Sequence, residues 1–83
     1  KIAVPHELEI YGNIYLPENV EASVYVGGFS SKINDDGSYE LNFLADTKEF
    51  MINIIDNEGN LLFYSEEICS EYEWTKRVDV NLK

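Results

Sequence analysis

Cysteine, histidine and positive charge are scarce in this chain of 83 residues. Cys69 is the only cysteine, so no disulfide can form within the chain, which excludes the disulfide-stapled class of small secreted domains. Six basic residues stand against sixteen acidic ones, which gives a formal net charge of −10. A surface this negative repels nucleic-acid phosphates and anionic lipids, so we expect no nucleic-acid partner and no binding to membrane surfaces.

Long apolar segments are also missing. No run of about 18 apolar residues occurs, and no basic segment followed by an apolar one marks a signal peptide, so we expect no membrane insertion. The hydrophobic content of 45% is nevertheless too high for a disordered chain. Because the sequence begins at Lys1 rather than at a methionine, we expect residues 1–83 to be a single domain cut from a larger multidomain protein.

No segment shows the 3.6-residue apolar repeat and the end caps of a helix. Apolar residues instead alternate with polar ones at a period of two, which is the pattern of strands with one buried face. Leu8, Ile10 and Ile14 follow this pattern in the first strand, and Pro17 is expected to end it.

About seven strands are predicted in this way, over residues 8–16, 22–26, 29–33, 39–43, 50–55, 61–68 and 78–82, with 69–76 as a loop. Residues 50–55 are apolar on both faces, so we expect that strand to be central or covered. The number and spacing of the strands predict an all-β fold, a small antiparallel β-sandwich of about seven strands and of the Ig-like or transthyretin-like type.

Two acidic segments that contain glycine, residues 34–37 and 56–60, separate predicted strands. A calcium loop needs oxygen ligands on alternating residues and a closing bidentate Glu. The acids of residues 34–37 are contiguous, and residues 56–60 have Asp56 and Glu58 at alternating positions but lack a third ligand and the closing Glu. Asn and Asp side chains that cap their own backbone, next to a Gly, are typical of tight turns. One His and one Cys are also too few ligands for a zinc site. The sequence therefore predicts two hairpin turns, no metal and no cofactor.

The residues that carry most enzyme chemistry do not form a recognisable set. The serines have a single histidine to share and no G-x-S-x-G motif. A dyad of Cys69 and His6 is the alternative, but glutamates flank Cys69 in the sequence, and negative neighbours raise the pKa of a thiol and disfavour the reactive thiolate. We therefore expect no catalytic residues and a protein that is not an enzyme.

The order of motifs resembles a known family. The segments "LEIYGNIYLP", "ASVYVGG" and "INDDGSYELNF" are similar to the V-x-G-x-V, V-x-V and D-G-x-Y elements of carboxypeptidase regulatory-like, or transthyretin-like, β-sandwich domains. The resemblance extends to about Asn60 and implies an accessory domain attached to an enzyme, receptor, adhesin or scaffolding protein. The matching residues are Ile10, Gly12, Ile14, Val24, Val26, Asp36, Gly37 and Tyr39.

Exposed aromatic residues are the remaining candidates for binding. Tyr11, Tyr15 and Tyr25 point away from the predicted core, and if the first two strands pair they form a flat aromatic platform of the kind that binds sugars. Trp74 lies in the predicted loop and is either a core plug or a ligand contact. We therefore expect a non-catalytic accessory domain of an extracellular or cell-surface protein, bacterial in origin, whose partner is a neighbouring domain or another protein. The alternative is a carbohydrate-binding module that holds a polysaccharide.

Overall fold

The computed structural model describes residues 6–69 and 73–83, and these form an all-β domain without helices. No helix in the described part is therefore long and apolar enough to cross a membrane. The strands are β1 (His6–Tyr15), β2 (Ala22–Val26), β3 (Phe29–Lys32), β4 (Ser38–Ala45), β5 (Glu49–Asp56), β6 (Leu61–Ile68), β7 (Thr75–Arg77) and β8 (Val80–Asn81).

The strands form two sheets. The first has the order β4-β1-β7, with β8 also paired to β1, and the second has the order β3-β2-β5-β6. The predicted all-β class is confirmed, and β5 is central in its sheet, as its two apolar faces indicate. Two details of the prediction are wrong: the described residues contain eight strands rather than seven, and β7 and β8 run parallel to β1 in a sheet predicted to be antiparallel.

Only Val80–Asn81 of the last predicted strand, residues 78–82, forms a strand, and a break of two residues separates it from β7. The carboxylate of Asp79 accepts a hydrogen bond from the backbone N–H of Asn13 at 2.8 Å. Gly12 lies so close to this break that a Cβ on it would come within 2.2 Å of the carbonyl oxygen of Val78. The loop prediction fails over β7, where Thr75–Arg77 is polar throughout and gives no alternation to detect; residues 70–72 of that loop lie outside the described residues.

The core lies between the two sheets and draws on both. The alternation predicted for β1 is confirmed, since its inward residues are fully buried. The side chains with no exposed surface come from β1 in the first sheet and from β2 and β5 in the second: Leu8, Ile10, Ile14, Val24, Ile52 and Ile54. Within the described residues no polar or charged side chain is buried. Phe29 on β3 is 47% exposed and stacks on Phe43 of the other sheet, with ring centroids 4.9 Å apart.

Candidate functional site

The acidic turns are built as predicted, with the carboxylates bonded to their own backbone. Asp36 accepts hydrogen bonds from the N–H of Ser38 at 2.9 Å and from its hydroxyl at 2.6 Å. Asp56 accepts from the N–H groups of Glu58 and Asn60 at 3.0 and 2.8 Å. These bonds hold the pKa of both aspartates below the ordinary value. Over residues 6–69 and 73–83, no three His, Cys, Asp or Glu side chains come together in a way that would hold a metal ion.

The Cys69 thiol is buried at the end of β6, and its backbone N–H donates to the carbonyl of Lys48 at 3.0 Å. Burial raises the pKa of this thiol, and the nearby positive charges of Lys48 and Lys76 oppose that rise. The predicted direction is therefore confirmed, and among the described residues the main cause is desolvation rather than charge. A buried, protonated thiol is a poor nucleophile.

Tyr11, Tyr15 and Tyr25 are all exposed, by 41%, 45% and 38%, but they do not share one face. Strand β1 pairs with β4, whereas β2 pairs with β3 and β5, so the first two strands belong to different sheets. The assumption behind the three-tyrosine platform is therefore wrong. Tyr11 and Tyr15 lie on the outer face of the first sheet, and Tyr25 lies on the outer face of the second.

Trp74 is separate from all three tyrosines. Its half-buried ring packs against the core and stacks on the ring of His6 with centroids 4.4 Å apart. Its carbonyl accepts the N–H of Glu9 at 2.8 Å, and the ammonium group of Lys48 lies 5.4 Å from the ring centroid. These contacts close one end of the core beside β1, and they use the ring surface that a ligand would need.

The outer face of the second sheet also exposes large apolar side chains. Met51 on β5 and Tyr64 and Ile68 on β6 are exposed by 41%, 62% and 57%. In the pairing of these strands Met51 stands opposite Glu66, and Glu49 stands opposite Ile68, so carboxylates alternate with the apolar groups. We call Met51, Tyr64, Glu66 and Ile68 the β5–β6 face.

The sequence contained a signal for this face. The apolar residues on both sides of β5 predicted a central or covered strand; β5 is central in its sheet, and the outward side chain of Met51 is 41% exposed. The face extends to a shallow cleft at the end of the two strands, where Phe50 and Ile68 form the apolar part and Glu49 and Glu67 the acidic part. An apolar surface with acidic borders suits a partner that is both apolar and basic.

Comparison with protein-family models, with curated proteins and with solved structures finds no significant match. The resemblance to carboxypeptidase regulatory-like domains therefore rests on the motifs in the sequence alone.

Proposed function

We propose that the chain is a non-catalytic interaction domain of a secreted or cell-surface multidomain protein, with a sandwich of the Ig-like or transthyretin-like type. The observation that carries the proposal is the β5–β6 face, where Met51, Tyr64 and Ile68 expose apolar surface on one side of the sheet, with Glu66 between them. Leaving several large apolar groups in water on one sheet face is unfavourable unless another surface covers them.

The placement of the reactive groups supports a non-catalytic role. Asp36 and Asp56 bond to their own turns, and Asp79 bonds to β1, so these carboxylates stabilise the fold. The thiol of Cys69 is buried, and His6 is stacked on Trp74. These three aspartates, the cysteine and the histidine thus contribute to the structure of the domain.

A carbohydrate surface is the second candidate, and Tyr11 and Tyr15 favour it. They lie four residues apart on one exposed face of β1, roughly 13 Å along the strand, with Asn13 between them. The ammonium group of Lys83 lies 5.9 Å from the centroid of the Tyr15 ring and covers part of this surface. We rank it below the β5–β6 face because the platform is reduced to two tyrosines.

Photo-crosslinking separates the two candidates. The chain is prepared with benzoylphenylalanine at position 64, or at position 11 as the matched control, and is irradiated with proteins of its source organism. We expect a discrete polypeptide adduct from position 64. Excess unlabelled wild-type chain, added as a competitor, should abolish this adduct, whereas the same excess of the Tyr64→Ser, Ile68→Ser double variant should not.

Affinity gels that contain soluble polysaccharides provide the opposing measurement. Retardation of the chain that is lost in the Tyr11→Ala variant, together with no competed adduct from position 64, would replace the interaction proposal with the carbohydrate one. Turnover of a substrate by the purified chain, reduced by His6→Ala, would overturn both.

A further inference from the structure

The free edge of β6 is the least protected strand edge of the second sheet. Strand β6 pairs with β5 on one side and, among the described strands, with none on the other. At the opposite edge the short β3 leads through a tight turn into β4, and the Phe29–Phe43 stack joins the two sheets there. The eight residues of β6 therefore form a long open edge, the feature to which an extended segment adds as a further strand.

The register identifies which backbone groups face that edge. Cys69 donates its N–H to Lys48, which makes these two residues a hydrogen-bonded pair. Bonded and non-bonded pairs alternate along an antiparallel ladder, and the β5–β6 register is continuous from Glu49↔Ile68 to Ile54↔Phe63. The N–H and C=O groups of Tyr64, Glu66 and Ile68 consequently point away from β5 and toward the free edge.

The side chains of the same three residues lie on the exposed β5–β6 face. An added strand therefore meets an apolar group at Tyr64, a carboxylate at Glu66 and an apolar group at Ile68, in that order along β6. Glu67 points to the inner side of the edge, where its carboxylate accepts the hydroxyl of Ser65 at 2.8 Å. Both sides of the edge thus carry negative charge on a chain whose net charge is already −10.

We propose that β6 is a docking edge for an extended, basic segment of another protein, which adds to the second sheet as a strand. The segment carries Lys or Arg opposite Glu66, with β-branched or aromatic residues opposite Tyr64 and Ile68. Backbone hydrogen bonds to the free edge supply the geometry, and the alternating apolar and basic side chains supply the selectivity. The inference rests on the proposed function, since it names the partner chemistry of the same face.

A second copy of the chain fits this edge poorly. Pairing of two β6 strands would bring the carboxylates of Glu66 and Glu67 close to those of the other copy. Like charges that stand opposite each other destabilise a strand pair, and the net charge of both chains adds to the repulsion. The features that attract a basic segment therefore act against self-association.

Titration with defined peptides tests the inference. The probe is the blocked peptide Thr-Val-Thr-Lys-Thr-Ile-Thr, and the matched control replaces its Lys with Glu. A third peptide carries N-methyl groups on Val, Lys and Ile, which removes the amide donors that face β6. We expect the Lys peptide to shift the backbone amide signals of Tyr64, Glu66 and Ile68 in ¹⁵N NMR spectra, and the N-methylated peptide to leave them in place.

Charge-swapped variants make the result specific to the edge. We expect Glu66→Lys to weaken binding of the Lys peptide about tenfold and to strengthen binding of the Glu peptide, since a favourable cross-strand pair becomes a repulsive one. Glu40→Lys is the matched control, because Glu40 is an exposed glutamate on the other long edge strand, β4, and its substitution changes the net charge equally. It should leave the preference for the Lys peptide intact.

The outcomes separate the inference from the proposed function. If the amide signals of β6 stay in place at millimolar peptide, or if Glu66→Lys and Glu40→Lys act alike, the docking edge is wrong. In that case a competed crosslink from position 64 would still support an interaction domain. Concentration-dependent dimerisation that Glu66→Lys reduces would also overturn the inference, because it would identify a second copy as the occupant.

Discussion

The hydroxyl of Tyr39 donates a hydrogen bond to the backbone carbonyl of Val78 across 2.7 Å of the protein interior. This bond ties β4 to the break between β7 and β8, on the far side of β1. Tyr39 therefore has two roles, as a core ring and as the hydrogen-bond donor that satisfies a carbonyl at an irregular part of the backbone.

Replacement of Tyr39 by Phe keeps the ring and leaves the Val78 carbonyl without this donor. We expect the free energy of unfolding to fall by about 1 to 2 kcal/mol, the usual cost of an unsatisfied buried acceptor. Urea unfolding followed by tryptophan fluorescence measures it. Tyr64→Phe is the control, since Tyr64 is exposed and its change should stay within about 0.5 kcal/mol. Equal losses in the two variants would contradict the role given to the Tyr39 hydroxyl.

Gly12 on β1 has no room for a side chain. Its φ is 150°, and a Cβ would lie 2.2 Å from the carbonyl oxygen of Val78 and 2.8 Å from a carboxylate oxygen of Asp79. We expect Gly12→Ala to destabilise the domain by about 3 kcal/mol or more, because both the backbone conformation and the contact must change. The measurement is the thermal midpoint of unfolding.

Gly28→Ala is the matched control for Gly12. A Cβ at Gly28 meets no atom within 4 Å, so the substitution should be nearly neutral. A Gly12→Ala protein that unfolds at the same temperature as Gly28→Ala would show that β7 and β8 are free to move away from β1.

The sequence predicted the parts of this fold that depend on local pattern. Alternation identified the buried residues of β1, the two apolar faces of β5 indicated its central position, and the Asx-Gly segments identified the turns. The partners of β1 and β2 were missed because period-two alternation gives the buried face of a strand but not its neighbour in the sheet. The three-tyrosine platform depended on that pairing and failed with it.

Only part of the β5–β6 face could be predicted from the sequence. The apolar outer residues of β5 were recognisable, but the open edge of β6 depends on the order of strands in the sheet, which short-range patterns do not contain. β7 was missed for a related reason, since the polar segment Thr75–Arg77 pairs through its backbone and has no apolar periodicity.

Asp36 and Asp35 are adjacent in the turn before β4, but only the carboxylate of Asp36 forms hydrogen bonds that hold the turn. Asp36 accepts both hydrogen bonds from Ser38, whereas no bond to the Asp35 side chain is found in the described part of the chain. We expect Asp36→Ala to lower the thermal midpoint and Asp35→Ala to change it little. Added calcium should leave the midpoint of the wild type and of both variants unchanged. A calcium-dependent rise in the wild type that Asp36→Ala abolishes would show that the turn is a cation site after all.

The carboxylate of Asp79 makes the fold sensitive to acid. The N–H of Asn13 and then Arg77, which lies 3.0 Å away, hold the pKa of Asp79 below its ordinary value. A lowered pKa in the folded state means that the unfolded chain binds more protons in acid. The stabilisation is therefore complete above the unfolded pKa of about 3.9 and is lost as the pH falls through the lower folded pKa.

Asp79→Asn tests this dependence, because the amide oxygen accepts the same N–H but does not titrate. We expect the variant to be less stable than the wild type at neutral pH, where it lacks the charge that faces Arg77, and to lose less stability between about pH 5 and pH 2. Urea unfolding at a series of pH values measures both effects, with Asp35→Asn as the control. Parallel pH curves for the wild type and Asp79→Asn would mean that acid acts through the turn aspartates, Asp36 and Asp56, rather than at the junction of β1 with β7 and β8.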